Sequence, residues 1–130
     1  MNASDVNAVR AAFADALSTR TMQGFALRKP HGYAGDFEII DRIYLRHITD
    51  DPSLKSWDTY YHQQSATKAV RNRKDYFHKL LDKQKETREA SRILNVGSGP
   101  ARCVFEWLGA NATAQVAFEC IDIDENAVRC

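Results

Sequence analysis

Apolar residues along the first two thirds of this chain recur at three- and four-residue steps, the spacing of one face of a helix. Val6, Val9, Phe13 and Leu17 form one such stripe and predict an amphipathic helix from Asp5 to about Ser18, capped by Ser4 or Asp5. Thr19 to Leu27 is less regular and is interrupted by Gly24. Pro30, Gly32 and Gly35 make Arg28 to Asp36 a loop, and Asp36 caps a helix lined by Phe37, Ile40, Tyr44 and Ile48, with Glu38 in its first turn. Asp50-Asp51-Pro52 ends that helix and starts a short one carrying Leu54, Trp57 and Tyr61. A long helix is expected from Ser65 to about Lys85, with Ala66, Val70, Arg73, Phe77 and Leu80 on its stripe. Its charged tail, Asp82 to Ala90, reads as solvated.

The period then changes. Arg92 to Val96 is a short, near-continuous apolar run, as in a parallel strand covered on both faces. Gly97-Ser98-Gly99 follows as a tight turn, and Pro100 fits the first position of a helix running to Leu108, with Val104, Phe105 and Leu108 inward and Gly109 as its stop. Val116 to Asp122 is a second strand, and Asp124 caps a further helix. The predicted fold class is α/β: an N-terminal helical region, residues 1–90, acting as a cap on the substrate side, then the first βαβ of a Rossmann-like parallel sheet, residues 91–130. Two parallel strands leave a sheet face and edges bare. The sheet is therefore expected to be incomplete in this chain, finished by a longer protein of which this is an N-terminal fragment or by another chain.

Composition narrows the function classes. Charged residues are 27% and the hydrophobic set 44% of 130 residues, with a net charge of +1, which gives no reason to expect nucleic acid. No apolar run approaches the roughly 20 residues of a membrane span, and no secretory leader is visible. Cys103, Cys120 and Cys130 lack CxxC spacing and read as reduced thiols, and the expected location is cytoplasmic. His31, His47, His62 and His78 have no metal-ligand spacing, so no metal is expected. Trp57, Tyr60, Tyr61 and Trp107 read as core, as do Cys103 and Cys120.

The glycine turn carries the chemistry. In open parallel sheets ligands sit at the carboxyl ends of the strands, where Gly97 and Gly99 end the first strand and Asp122 the second. An acidic residue at that separation accepts hydrogen bonds from two vicinal ribose hydroxyls. A dinucleotide fingerprint would place glycine at position 102, where this chain has Arg102, so NAD fits poorly. Ile93-Leu94-Asn95-Val96-Gly97-Ser98-Gly99-Pro100-Ala101 instead resembles the first motif of class I S-adenosylmethionine-dependent methyltransferases, and Phe118-Glu119-Cys120-Ile121-Asp122-Ile123-Asp124 resembles their second. Asn95 stands where an acidic residue is common, and Ala101 where a third glycine is common. The resemblance implies that Asn95, Gly97, Ser98, Gly99, Asp122 and Ile123 hold S-adenosylmethionine.

A second resemblance covers about Leu27 to Ala127. The loop Arg28-Lys29-Pro30-His31-Gly32-Tyr33-Ala34-Gly35-Asp36, the run Ala69-Val70-Arg71-Asn72-Arg73 and the Gly99-Pro100-Ala101-Arg102 turn are similar to a bacterial methyltransferase group. That group includes synthases of 3-hydroxy fatty acid methyl esters used in signalling. This implies methyl transfer to a carboxylate or similar small molecule, with Tyr33, Asp36, Arg71 and Arg73 on the substrate side. Read from the residues alone, Arg73 on its apolar stripe pairs either with Asp36 or Asp41 or with a ligand carboxylate, because an unpaired buried charge costs several kcal/mol. Arg71 is solvated by default. Tyr33 and Asp36 form either a capped turn or a lid over the cofactor. The catalytic candidates are Tyr33, His31 and Arg73, with His31 the one histidine placed as a general base. Two other readings stand beside this one: a non-catalytic helical interaction module with a vestigial nucleotide-binding fold, and an NAD-linked reductase.

Overall fold

A computed structural model describes residues 2–87 and 90–129 of the chain. They form a mixed helical and parallel-sheet structure in two compact units, Met1–Ala69 and Val70–Cys130. The sequence readings that fall on Arg88, Glu89 and the Cys130 thiol lie outside the described residues.

The first unit is helical. Helix α1 spans Ala3–Phe13, followed by a 3-10 turn over Ala14–Leu17. Its cap is Asn2, not Ser4 or Asp5: Asp5 N–H donates to Asn2 Oδ1, and Asn2 N–H donates to Asp5 Oδ2, each at 2.9 Å. This reciprocal box satisfies two otherwise orphaned donors. No residue of α1 is buried, so the predicted stripe is largely uncovered; Phe13 packs edge-on against Trp57 at 5.3 Å.

Helix α2, Met22–Arg28, occupies the stretch expected to be irregular. Gly24 does not interrupt it. An added Cβ there would lie 1.9 Å from Ser18 O, so glycine is what lets the helix backbone close on the preceding turn. The buried Thr21 caps α2 through Gly24 N–H at 3.0 Å, while its hydroxyl donates to Ala16 O at 2.6 Å. Helix α3, Phe37–Tyr44, starts at Asp36, whose carboxylate accepts from Ile39 N–H at 2.8 Å. It buries Ile39 and Ile43 and not the predicted row; Ile48 lies beyond the helix and is exposed. Apolar pairs at 39–40 and 43–44 allow two inward registers, and packing against α2 selects one of them.

Helix α4, Lys55–Gln63, buries Asp58 completely. One oxygen of this carboxylate accepts from Met22 N–H at 2.7 Å and the other from Thr49 N–H at 2.8 Å. One side chain thus satisfies the start of α2 and the loop before α4 together. Tyr60 is exposed, unlike its predicted core placement, whereas burial pushes the Tyr61 phenol up from its ordinary pKa.

Helix α5 runs Ser65–Thr87 across the division between the units. Its inward residues are Thr67 and Leu81, with Val70, Lys74, Phe77 and His78 half-buried. The predicted stripe is off by about one position, so Arg73 and Leu80 are exposed.

In the second unit, strands β1 (Ser91–Val96) and β2 (Val116–Ile121) pair in parallel, with Ser91 opposite Val116 and Val96 opposite Ile121. Among the described residues only one face is covered. Ile93, Asn95, Phe118 and Cys120 are half-buried, whereas Leu94, Val96 and Ile121 are exposed, which corrects the expectation of a strand covered on both sides. Helix α6, Arg102–Ala110, buries Val104 and Trp107, and the indole meets Phe118 edge-on at 6.0 Å. Trp107 Nε1–H donates to Asp82 Oδ1 at 2.7 Å, and His78 Nε2–H donates to Cys103 O at 2.7 Å, so α5 is tied to α6 twice. Phe105, predicted inward, is 69% exposed because the larger Trp107 takes the core position. Gly109 lies inside α6 and does not end it; Asn111 is the C-cap. Helix α7, Glu125–Val128, closes the described chain. No helix among the described residues is long and apolar enough to cross a membrane.

Candidate functional site

The turn after β1 alternates its backbone handedness. Gly97, Gly99 and Ala101 have φ of 68°, 54° and 53°, the left-handed region that glycine enters without strain and alanine does not. Pro100 therefore precedes the helix, and the left-handed Ala101 is its N-cap; its carbonyl accepts from Val104 and Phe105 N–H at 2.9 and 3.0 Å. An added Cβ at Gly97 would meet nothing within 4 Å, so the turn is open on that side.

The turn is held by the end of β2. Gly97 N–H and Ser98 N–H both donate to Ile121 O, at 2.8 and 3.1 Å. Gly99 N–H donates to Asp122 Oδ2 at 2.7 Å, and Asp122 Oδ1 accepts from Asp124 N–H at 2.9 Å. Asp124 in turn caps α7 by accepting from Asn126 N–H at 2.9 Å. Each oxygen of a carboxylate has about two acceptor positions. Asp122, half-buried, keeps one acceptor position per oxygen unfilled among the described residues.

Two features at this end of the sheet stand without partners among the described residues. Asn95 Nδ2 is buried and donates to nothing among the described residues, an arrangement that costs about 1–3 kcal/mol unless an acceptor meets it. Ile123 is fully exposed. Asn95, Gly97, Ser98, Gly99, Asp122 and Ile123 thus share the carboxyl end of the two strands. A shallow depression of about 480 Å³ lies at the opposite, amino end, lined by Ser91, Arg92, Val116 and Ala117, and is separate from this turn. Next to the turn, burial pushes the Cys103 thiol up from its ordinary pKa, which keeps it in its unreactive protonated form.

The residues expected on the substrate side divide between the units. His31, Tyr33 and Asp36 occupy the loop before α3, and Asp36 is spent on capping that helix. Arg71 and Arg73 lie on α5 beyond residue 69. Arg73 is exposed, so the demand that a buried guanidinium find a partner does not arise, and Arg71 is the half-buried one of the two.

Pairings that the sequence reading did not foresee organise the first unit. Glu38 accepts from His31 Nε2–H at 2.9 Å and from Arg42 Nη2–H at 2.7 Å. Burial opposes ionisation of Glu38, but the bonds from His31 and Arg42 and the Arg42 charge outweigh it and hold the carboxyl below its usual range. The Arg42 guanidinium also stacks 3.9 Å from the Phe25 ring centre. The i,i+4 spacing of Glu38 and Arg42 was the available signal. No group of three or more histidine, cysteine or acidic residues placed to hold a metal ion occurs among the described residues. No protein-family model, no curated protein and no solved structure matches this chain.

Proposed function

We propose that the chain binds S-adenosylmethionine at the carboxyl end of its two strands and belongs to a methyl-transfer enzyme acting on a small molecule. The observation that carries this reading is the Asp122 carboxylate, which fixes the glycine turn and still has two acceptor positions for a ribose diol. The unmet Asn95 Nδ2 donor and the open side of Gly97 fit a ligand that brings an acceptor close to the backbone. The motif resemblance supplies the identity of the cofactor, and the carboxylate of a 3-hydroxy fatty acid is the acceptor that the wider resemblance suggests.

The sulfonium of that cofactor supplies an already activated methyl group. The protein's own contribution is then placement. Asp122 orients the sugar, Gly97 and Gly99 let the backbone approach, and Asn95 anchors an acceptor atom beside the turn. A carboxylate nucleophile is ionised at neutral pH and asks for no general base, so holding it in line accounts for most of the acceleration.

Titration calorimetry tests this with S-adenosylmethionine and NAD offered separately to the protein and to Asp122→Ala. Saturable heat with the first ligand, weakened at least tenfold in the variant, is the expected result. Heat with NAD alone would move the assignment to a reductase. Heat with neither would leave the interaction-module reading in its place.

A further inference from the structure

Two thiols meet between α6 and the sheet, beside the glycine turn. β1 and β2 are parallel, so the connecting helix α6 runs back against them. The Trp107 indole marks the register, because it meets the Phe118 ring at 6.0 Å. Cys103 lies one turn nearer the start of α6, on the same face as Trp107. Cys120 lies two residues nearer the end of β2, on the same face as Phe118. Four helical residues advance about 6 Å and two strand residues about 6.6 Å, so Cys103 stands over Cys120 as Trp107 stands over Phe118. Both cysteines are half-buried free thiols. Burial is the main cause of the raised Cys103 pKa, and Cys120 is close enough to add to it. The orientation of α6 is held from α5, through His78 to Cys103 O and Trp107 to Asp82, each at 2.7 Å.

The pair brackets the turn. Cys120 is followed by Ile121, whose carbonyl accepts from Gly97 and Ser98 N–H, and by Asp122, whose carboxylate accepts from Gly99 N–H. Cys103 follows two residues after Ala101, the cap at which the turn passes into α6. The turn opens only if its β2 anchor and the start of α6 move apart. A bond between the two sulfurs would forbid that movement.

We propose that Cys103 and Cys120 form a reversible disulfide that clamps the glycine turn between α6 and β2. The oxidant is a peroxide. One thiol sulfur attacks the O–O bond of hydrogen peroxide and becomes a sulfenic acid, and the other oxygen leaves as water. The second sulfur then attacks the sulfenic sulfur. The S–S bond forms, the S–O bond breaks, and the hydroxyl leaves as water with the second thiol's proton. The two thiols together lose two electrons and two protons, which the peroxide takes up. A dithiol reverses the bond by exchange. A disulfide holds its Cα atoms within about 6.8 Å, so the first turn of α6 is pinned to the end of β2. As a control on the proposed cofactor site the clamp rests on that reading, but the sulfur chemistry needs no ligand.

Oxidation of the whole chain with hydrogen peroxide tests this, at mildly alkaline pH because burial keeps the Cys103 thiol protonated at neutrality. Peptide mapping by mass spectrometry should find an intrachain Cys103–Cys120 link that dithiothreitol removes. Cys103→Ala and Cys120→Ala should each abolish it. Amide exchange at Gly97, Ser98 and Gly99 should slow by about threefold or more on oxidation, recover on reduction, and not respond to peroxide in either variant. Four results would overturn the proposal: pairing of either residue with Cys130 instead, links between chains only, sulfinic acids without a disulfide, or a Cys103–Cys120 link that leaves exchange in the turn unchanged. No readout involves S-adenosylmethionine, so failure here is distinct from failure of the cofactor assignment.

Discussion

Asp122 Oδ2 accepts the Gly99 amide at 2.7 Å, which makes one side chain at the end of β2 responsible for the shape of the turn that ends β1. Its other oxygen holds Asp124 N–H, so both strand ends are fixed from one point. Asp122→Ala should therefore lower stability even without ligand, by about 1–2 kcal/mol, because two half-buried amides lose their acceptor. Urea unfolding of the apo protein measures this, and a midpoint equal to wild type would show that the carboxylate does not shape the turn.

Asp58 makes a sharper case. It is fully buried, and its two oxygens serve amides 36 and 9 residues away. Asp58→Ala strands both donors and opens a cavity, and should cost about 3–4 kcal/mol. Asp58→Asn keeps one acceptor and should fall between the variant and wild type. Thermal unfolding followed by circular dichroism ranks the three, and equal losses for the two variants would contradict the division of work between the oxygens.

The acid sensitivity of the first unit follows from Glu38. Its folded pKa lies below the ordinary 4.5, so its contribution is complete above that value and is lost as pH falls through the folded pKa. The stability difference between wild type and Glu38→Gln should be constant near neutrality and shrink below about pH 4.5. Denaturation midpoints at pH 7, 5 and 3 test the sign, and a gap that widens in acid would reverse it.

Ala101 holds a left-handed conformation with its methyl buried. Glycine would relieve about 1 kcal/mol of backbone strain while giving up the packed methyl, so Ala101→Gly should stay within about 1 kcal/mol of wild type. Ala101→Val places a β-branched residue at positive φ and should lose about 2 kcal/mol or more. Comparable unfolding midpoints for the two variants would mean that the turn relaxes to another backbone path.

What was legible in the sequence was local. The Asp36 cap, the two strands and the glycine turn rest on residues within a few positions of one another, and the structure places them where the pattern puts them. What was not legible depends on distant partners. Ile39 and Ile43 against Ile40 and Tyr44, or Leu81 against Leu80, are adjacent apolar choices that only the opposing helix decides. Asp58 carries no local mark of burial, since both its partners come from elsewhere in the chain. Gly24 reads as a helix breaker until the Ser18 carbonyl is seen where its side chain would be.

The single pairing of β1 with β2 also sets how the backbone breathes. Ser91 and Gly97 donate their amides toward β2, and a parallel ladder alternates, so the amides of Arg92, Leu94 and Val96 face the edge that no other strand among the described residues pairs. Their protons should exchange with deuterated solvent in the fast regime, alongside slow protons at Ile93 and Asn95 in the same strand. The slowest backbone of the second unit then belongs to α6 around Trp107 rather than to the strands that carry the turn.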